Sequence, residues 1–111
     1  MNVINVQLLN TYMDHNQDYL NLLRKIKNKP ESSQRELAEE LGFSLGKLNY
    51  ILNSLKYKGL IKMRNFTRNP KKINYIYVLT PKGIAAKTKL TINFMKRKIK
   101  EYDELKRELR K

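Results

Sequence analysis

Ser44–Lys62, SLGKLNYILNSLKYKGLIK, is the stretch that decides the fold. Ser44 suits a helix N-cap, because its hydroxyl can accept from an amide of the first turn, and Gly59 falls where a left-handed C-terminal cap belongs. Leu48, Leu52 and Leu55 recur at spacings of four and three with Ile51 beside them, which is the buried stripe of a helix. The opposite face carries Lys47, Asn49, Tyr50, Asn53 and Ser54 and no carboxylate. A helix face that serves solubility alone mixes both signs of charge. This one is composed to touch a partner.

Upstream, Ser33 and Glu36 fit a capping box that opens a short helix through Glu40, with Leu37, Ala38 and Leu41 inward and Gly42 as the turn residue. Before it, Val6 to Lys27 reads as one helix, or two with a break. Tyr12, Tyr19, Leu20, Leu23 and Ile26 form its apolar stripe, and Asn28-Lys-Pro30 ends it, since the residue before proline avoids helical geometry. Downstream the period changes. Leu60–Arg64 and Ile73–Leu79 read as strands around the polar, basic segment 65–72, a hairpin tip. Thr80 then caps a last helix with Pro81 at its first position. No breaker follows Gly83, so this helix runs some 30 residues, about 45 Å.

The fold class that follows is mainly α with a small β-hairpin. It is a winged helix-turn-helix over residues 1–80, followed by a long C-terminal helix over residues 81–111. Ala85, Ile92 and Ile99 repeat every seven, as do Thr88, Met95, Tyr102 and Leu109, and interleaved they make a coiled-coil seam that Lys106 interrupts. A second copy of the chain is the economical cover for that seam, so a homodimer is expected; folding back on the N-terminal helix is the alternative. Leu90, Phe94 and Leu105 lie off the seam and are expected to pack on the rest of the domain.

Composition narrows the partner. The 111 residues carry a formal net charge of +14, which points to a polyanion, nucleic acid before anionic membrane. All ten acidic residues lie between Asp14 and Glu40 or from Glu101 onward, and the span 41–100 holds fifteen Lys and Arg and no acid. There is no cysteine and one histidine, His15, so disulfides, thiol chemistry and a histidine metal site are excluded. Neither a secretory signal nor a transmembrane run is evident, and a cytoplasmic, nucleoid-associated protein is expected. No Gly-rich phosphate loop or Ser/His/Asp set appears, so no catalytic residue, metal or cofactor is assigned.

Helix, short helix, glycine turn, third helix and basic hairpin is the order that DNA recognition needs. The second helix of the motif enters the major groove, and the wing adds phosphate or minor-groove contacts. Asn49 and Asn53 are candidates for adenine edges, Lys47 for guanine or phosphate, and Tyr50 for a phosphate or a thymine methyl. Arg68 at the wing tip has no carboxylate nearby and is a further phosphate or minor-groove candidate. Tyr75 and Tyr77, on one side of a strand, are expected to pack against helices rather than stack on bases.

The segment SQRELAEELGFSLGKLNYILNSLKYKGLIK resembles the helix-turn-helix of MarR-type winged-helix regulators. SQRELAEELG followed by SLGKLNY is similar to the MarR family EPS-associated transcriptional regulators, and the similarity continues through YIYVLTPKGIAAKTKLTINFMKRKIKEYDELK. The resemblance spans roughly residues 20 to 109 and implies a homodimeric DNA-binding transcription factor. It places Ser44, Gly46, Lys47, Asn49, Tyr50 and Asn53 on the recognition helix and Arg64, Arg68, Lys71 and Lys72 in or beside the wing. Ser33, Gln34 and Arg35 open the preceding helix, where free amides can hold a phosphate. Standard members are longer, dimerise through both termini and carry a ligand cleft. One C-terminal helix and a short N-terminal element argue here against a small-molecule effector and for a simple coiled-coil pairing. The wing also lacks the Asp-plus-Arg pair common in that family.

Two other functions compete. One is a winged-helix module for protein or RNA whose long helix pairs with a different protein. The other is a basic helix on a membrane surface, weakened by Glu101, Asp103, Glu104 and Glu108.

Overall fold

The structure, a computed structural model, describes the backbone of residues 3–69 and 72–110 and the side chains of residues 16–65 and 75–110. Along the chain come α1 (Val3–Asn28), α2 (Gln34–Leu41), α3 (Leu45–Tyr57), β1 (Ile61–Asn69), β2 (Lys72–Leu79) and α4 (Pro81–Leu109). The first helix is continuous and ends at Asn28, two residues before Pro30, as the sequence led us to expect.

Both termini of α2 and of α3 are satisfied by the residues placed there. The hydroxyl oxygens of Ser33 and Ser44 accept from the amides of Glu36 and Lys47, both at 3.1 Å. Gly42 and Gly59 both take φ just above +70°. At the first, the Phe43 amide reaches back to the Ala38 carbonyl at 2.9 Å; at the second, the Leu60 amide reaches the Leu55 carbonyl at 2.9 Å. These are paired Schellman stops, and a side chain at either glycine would be strained.

One core joins the three N-terminal helices. Leu20, Leu22, Leu23 and Ile26 of α1, Leu37 and Ala38 of α2, and Leu48, Ile51, Leu52 and Leu55 of α3 are buried together with Ile61. Leu22 is fully buried although the periodic reading of α1 omitted it. Each such leucine contributes roughly 1.5–3 kcal/mol by leaving water. Tyr19, Leu41, Phe43, Leu60, Tyr77, Leu79 and Leu90 pack around this core.

The hairpin is antiparallel, with Ile61 opposite Leu79, Met63 opposite Tyr77 and Asn65 opposite Tyr75. It is longer than the sequence suggested. The ladder continues, irregularly, to the pair Asn69–Lys72, so most of the segment read as a loop is strand. Backbone pairing in a two-stranded ribbon does not need apolar side chains to continue. Tyr77 packs on the core as expected, whereas Tyr75 is 62% exposed, because its pair lies beyond the helical layer.

The hairpin root is tied to both neighbouring helices. The Thr80 amide donates to the Leu60 carbonyl at 3.0 Å. The Thr80 hydroxyl donates to the Gly59 carbonyl at 2.6 Å and accepts from the Gly83 amide at 3.0 Å, capping α4. Lys82 Nζ donates to the Lys58 carbonyl at 3.0 Å. Gly83 is buried here; a Cβ on it would overlap the Leu60 carbonyl oxygen. Thus α4 starts against the very residues that end α3.

Beyond that joint α4 projects. The radius of gyration is 17.5 Å, against about 13 Å for a compact chain of this length. Every residue from Lys98 to Arg110 is exposed. Leu90 packs on the core and Phe94 is half-buried, but Leu105, expected to pack inward, is 61% exposed because the body of the protein ends before it.

Candidate nucleic-acid interface

The buried stripe of α3 fixes what its far side presents. Leu48, Leu52 and Leu55 point inward, so Gly46, Tyr50, Asn53 and Tyr57, at spacings of four, three and four, point directly out. Tyr50 is 65% and Tyr57 94% exposed, and Asn49 and Asn53 are exposed beside them. A Cβ at Gly46 would meet only the Ser44 hydroxyl oxygen, at 4.0 Å, so the backbone there can come close to a ligand. Tyr57 was missed in the sequence; the complement of the leucine stripe was the signal that would have found it.

Two polar residues lie on the flank of α3 that meets α1. Lys47 Nζ pairs with Asp18 Oδ2 at 2.9 Å and sits 4.4 Å from the Phe43 ring centroid. One helical face along, the Ser54 and Tyr19 hydroxyls are 3.1 Å apart. The sequence put Lys47 and Ser54 on the outward face; the structure turns both toward α1.

The opening of α2 is partly committed. The Ser33 hydroxyl oxygen already serves the Glu36 amide, and Gln34 Nε2 donates to the Tyr77 hydroxyl at 3.0 Å, tying α2 to the wing strand. Arg35 is exposed. At the other end of α2, Lys25 and Lys29 pair with Glu40 at 3.1 and 3.3 Å, and the Lys25 bond above all, with Lys29, holds that carboxyl below its ordinary pKa. On the wing Arg64 is exposed opposite Ile76. The side chains of Arg68, Lys71 and Lys72 lie outside the described residues, as does that of His15.

Comparison with known proteins agrees with this geometry. Residues 20–62 match the family described as winged helix-turn-helix DNA-binding. No curated protein sequence matches the chain. Among solved structures, FabT of Streptococcus pneumoniae in complex with DNA aligns with a TM-score of 0.56 at 22% identity, over 78% of this chain and 58% of that one. An apo-form mutant of Lactococcus lactis ZitR aligns at 0.63 and 21% identity, over 97% and 83%. The PcaV transcriptional regulator of Streptomyces coelicolor with its natural ligand aligns at 0.58 and 17%, over 80% and 70%. The same fold is shared with a MarR family transcription regulator, aligned at a TM-score of 0.60 and 21% identity over 83% of this chain and 67% of that one.

The first turns of α4 lie against α1 through Ala86, Leu90 and Asn93, which share one helix face. Ala85, Thr88, Ile92, Met95, Ile99, Tyr102 and Leu109 are all exposed on the other side, joined by Ile84 and Leu105. The seven-residue reading missed those two. Between α1 and α4 an open cleft of about 420 Å³ is lined by Asn16, Tyr19, Lys58, Leu60, Lys89 and Leu90. The N-terminal element, α1, runs 26 residues. No helix among the described residues is long and apolar enough to cross a membrane.

Proposed function

We propose that the chain is a transcriptional regulator that binds double-stranded DNA sequence-specifically as a homodimer, and acts as a repressor by occupying its site. The carrying observation is the outer stripe of α3, where Asn49, Tyr50 and Asn53 beside Gly46 make an exposed row of hydrogen-bonding side chains without a carboxylate on a chain of net charge +14. Amides of this kind pair bidentately with adenine edges in the major groove. Ser44 opens the helix, the exposed Arg35 and the α2 terminus formed by Ser33 and Gln34 face phosphate, and Arg64 with Arg68, Lys71 and Lys72 supplies the wing. The DNA-bound neighbour supports the same reading.

The exposed stripe of α4 supports pairing with a second copy, since it points away from α1 and nothing else in the chain covers it among the described residues. A symmetric dimer addresses an inverted repeat with half-sites about 34 Å apart. The test is selection of duplexes from a random pool at about 150 mM salt, followed by footprinting and light scattering. A dimer on a palindromic site, and reporter repression through that site, supports the proposal. A monomer without site preference overturns it and favours an interaction module whose long helix pairs with a different protein.

A further inference from the structure

We infer that Asp18 on α1 is an internal counter-ion that keeps Lys47 of the recognition helix off DNA phosphates, so that α3 reads DNA with neutral side chains. The inference rests on the DNA-binding reading and says which residues set its selectivity.

Lys47 is the sole cation between Ser44 and Leu55, and Asp18 is the sole acid in the part of α1 whose side chains are described. On a chain of +14 the two stand 2.9 Å apart. The Asp18 side chain is only 18% exposed, and the buried residues Leu20, Leu22 and Leu23 fix its helix to the core, so the carboxylate cannot follow the lysine outward. The Phe43 ring gives the ammonium a second hold at 4.4 Å. Together these neutralise the first turns of α3 and leave the cations of the wing and α4 to meet the phosphate backbone.

The consequence concerns discrimination. A lysine free at the groove would attract phosphates of any sequence and raise non-specific affinity, which is largely counterion release. Selectivity is the ratio of specific to non-specific binding. Holding Lys47 on Asp18 removes a sequence-blind contact from the part of the protein that reads bases.

The test uses a labelled random-sequence 20-base-pair duplex and anisotropy titrations of the full chain between 50 and 200 mM salt. Wild type, Asp18→Asn, Lys47→Ala and the double variant are compared. Freed by Asp18→Asn, Lys47 should steepen the slope of log affinity against log salt by about 0.9, so that the gain over wild type shrinks about threefold across that range. Lys47→Ala alone should leave the wild-type slope, and the double variant should return to it. If Asp18→Asn changes the melting temperature but not the slope, the pair merely fastens α1 to α3 and the inference falls. It falls equally if Lys47→Ala alone flattens the slope, since the lysine would then already be on phosphate. Wild type showing no salt-sensitive binding would remove the DNA-binding reading itself, and this inference with it.

Discussion

Replacing Gly83 by alanine sets two physical effects of opposite sign against each other. In an ordinary helix interior the change stabilises by about 1 kcal/mol, because glycine is the poorer helix former. Here the new Cβ would overlap the Leu60 carbonyl oxygen and stand 2.9 Å from its carbon and 3.3 Å from Leu60 Cα. All three are backbone atoms and they are held from both sides. The Leu60 carbonyl accepts from the Thr80 amide at 3.0 Å, and the Leu60 amide donates to the Leu55 carbonyl at 2.9 Å. Relief therefore requires α4 to lift off the end of α3. Overpacking of this kind costs about 1–3 kcal/mol, and each joint hydrogen bond that stretches adds roughly 0.5–1.5 kcal/mol. Set against the propensity gain, the net is a loss of about 2 kcal/mol. For a domain of this size that is a fall of roughly 8–16 °C in Tm. Circular-dichroism melts at one fixed protein concentration measure it, because an oligomer's Tm depends on concentration. A Tm equal to or above wild type would refute the reasoning and show that α4 is not seated on Leu60.

Other substitutions address the remaining surfaces. Asn49→Ala and Asn53→Ala should each lose about 1–3 kcal/mol of discrimination at one base pair of the selected site, with unchanged melting because both side chains are exposed; competition binding against single-base variants of that site measures it. Ile99→Glu, in the middle of the exposed stripe of α4, should convert the proposed dimer to a monomer by light scattering while the melt of the N-terminal body changes little. Glu40 gives a pH dependence. Its folded pKa is lowered by Lys25 and then Lys29, so its contribution is complete above the unfolded value and is lost as pH falls through the folded one. Glu40→Gln should therefore melt slightly below wild type at about pH 7 and converge with it as pH falls through the folded pKa of Glu40, the difference being small because the pair is solvent-screened.

The helical frame could be read from the sequence because local signals coincide with it. Ser33, Ser44 and Thr80 cap, Gly42 and Gly59 stop, and the leucines at 48, 52 and 55 face inward, each settled by its near neighbours in the chain. What depended on distant parts of the chain was not legible. Lys47 and Ser54 looked outward because nothing in their own segment shows that Asp18 and Tyr19 lie beside them. Nothing around Gln34 in the sequence shows that its side chain bonds the Tyr77 hydroxyl. The hairpin exceeds the expected length because residues 65–69, polar except for Phe66, carry no alternation, although the ladder continues through them to Asn69. Leu105 was assigned inward because the sequence does not say where the body of the protein stops under a projecting helix.

The bond from the Thr80 amide to the Leu60 carbonyl closes residues 61–79 into a loop whose root is locked. The base of the ribbon is held on the core by Ile61, Tyr77 and Leu79, so its tip stands apart from the helices. A ribbon lengthened at its tip changes the loop-closure entropy by only roughly 0.6 kcal/mol for a doubling of its length, and it transmits no shift to α3 or α4. The wing is thus an exchangeable fitting on a fixed mount. Its reach and charge can diverge between related chains, or be rewritten by design, while the recognition helix keeps its bearing on the long helix behind it.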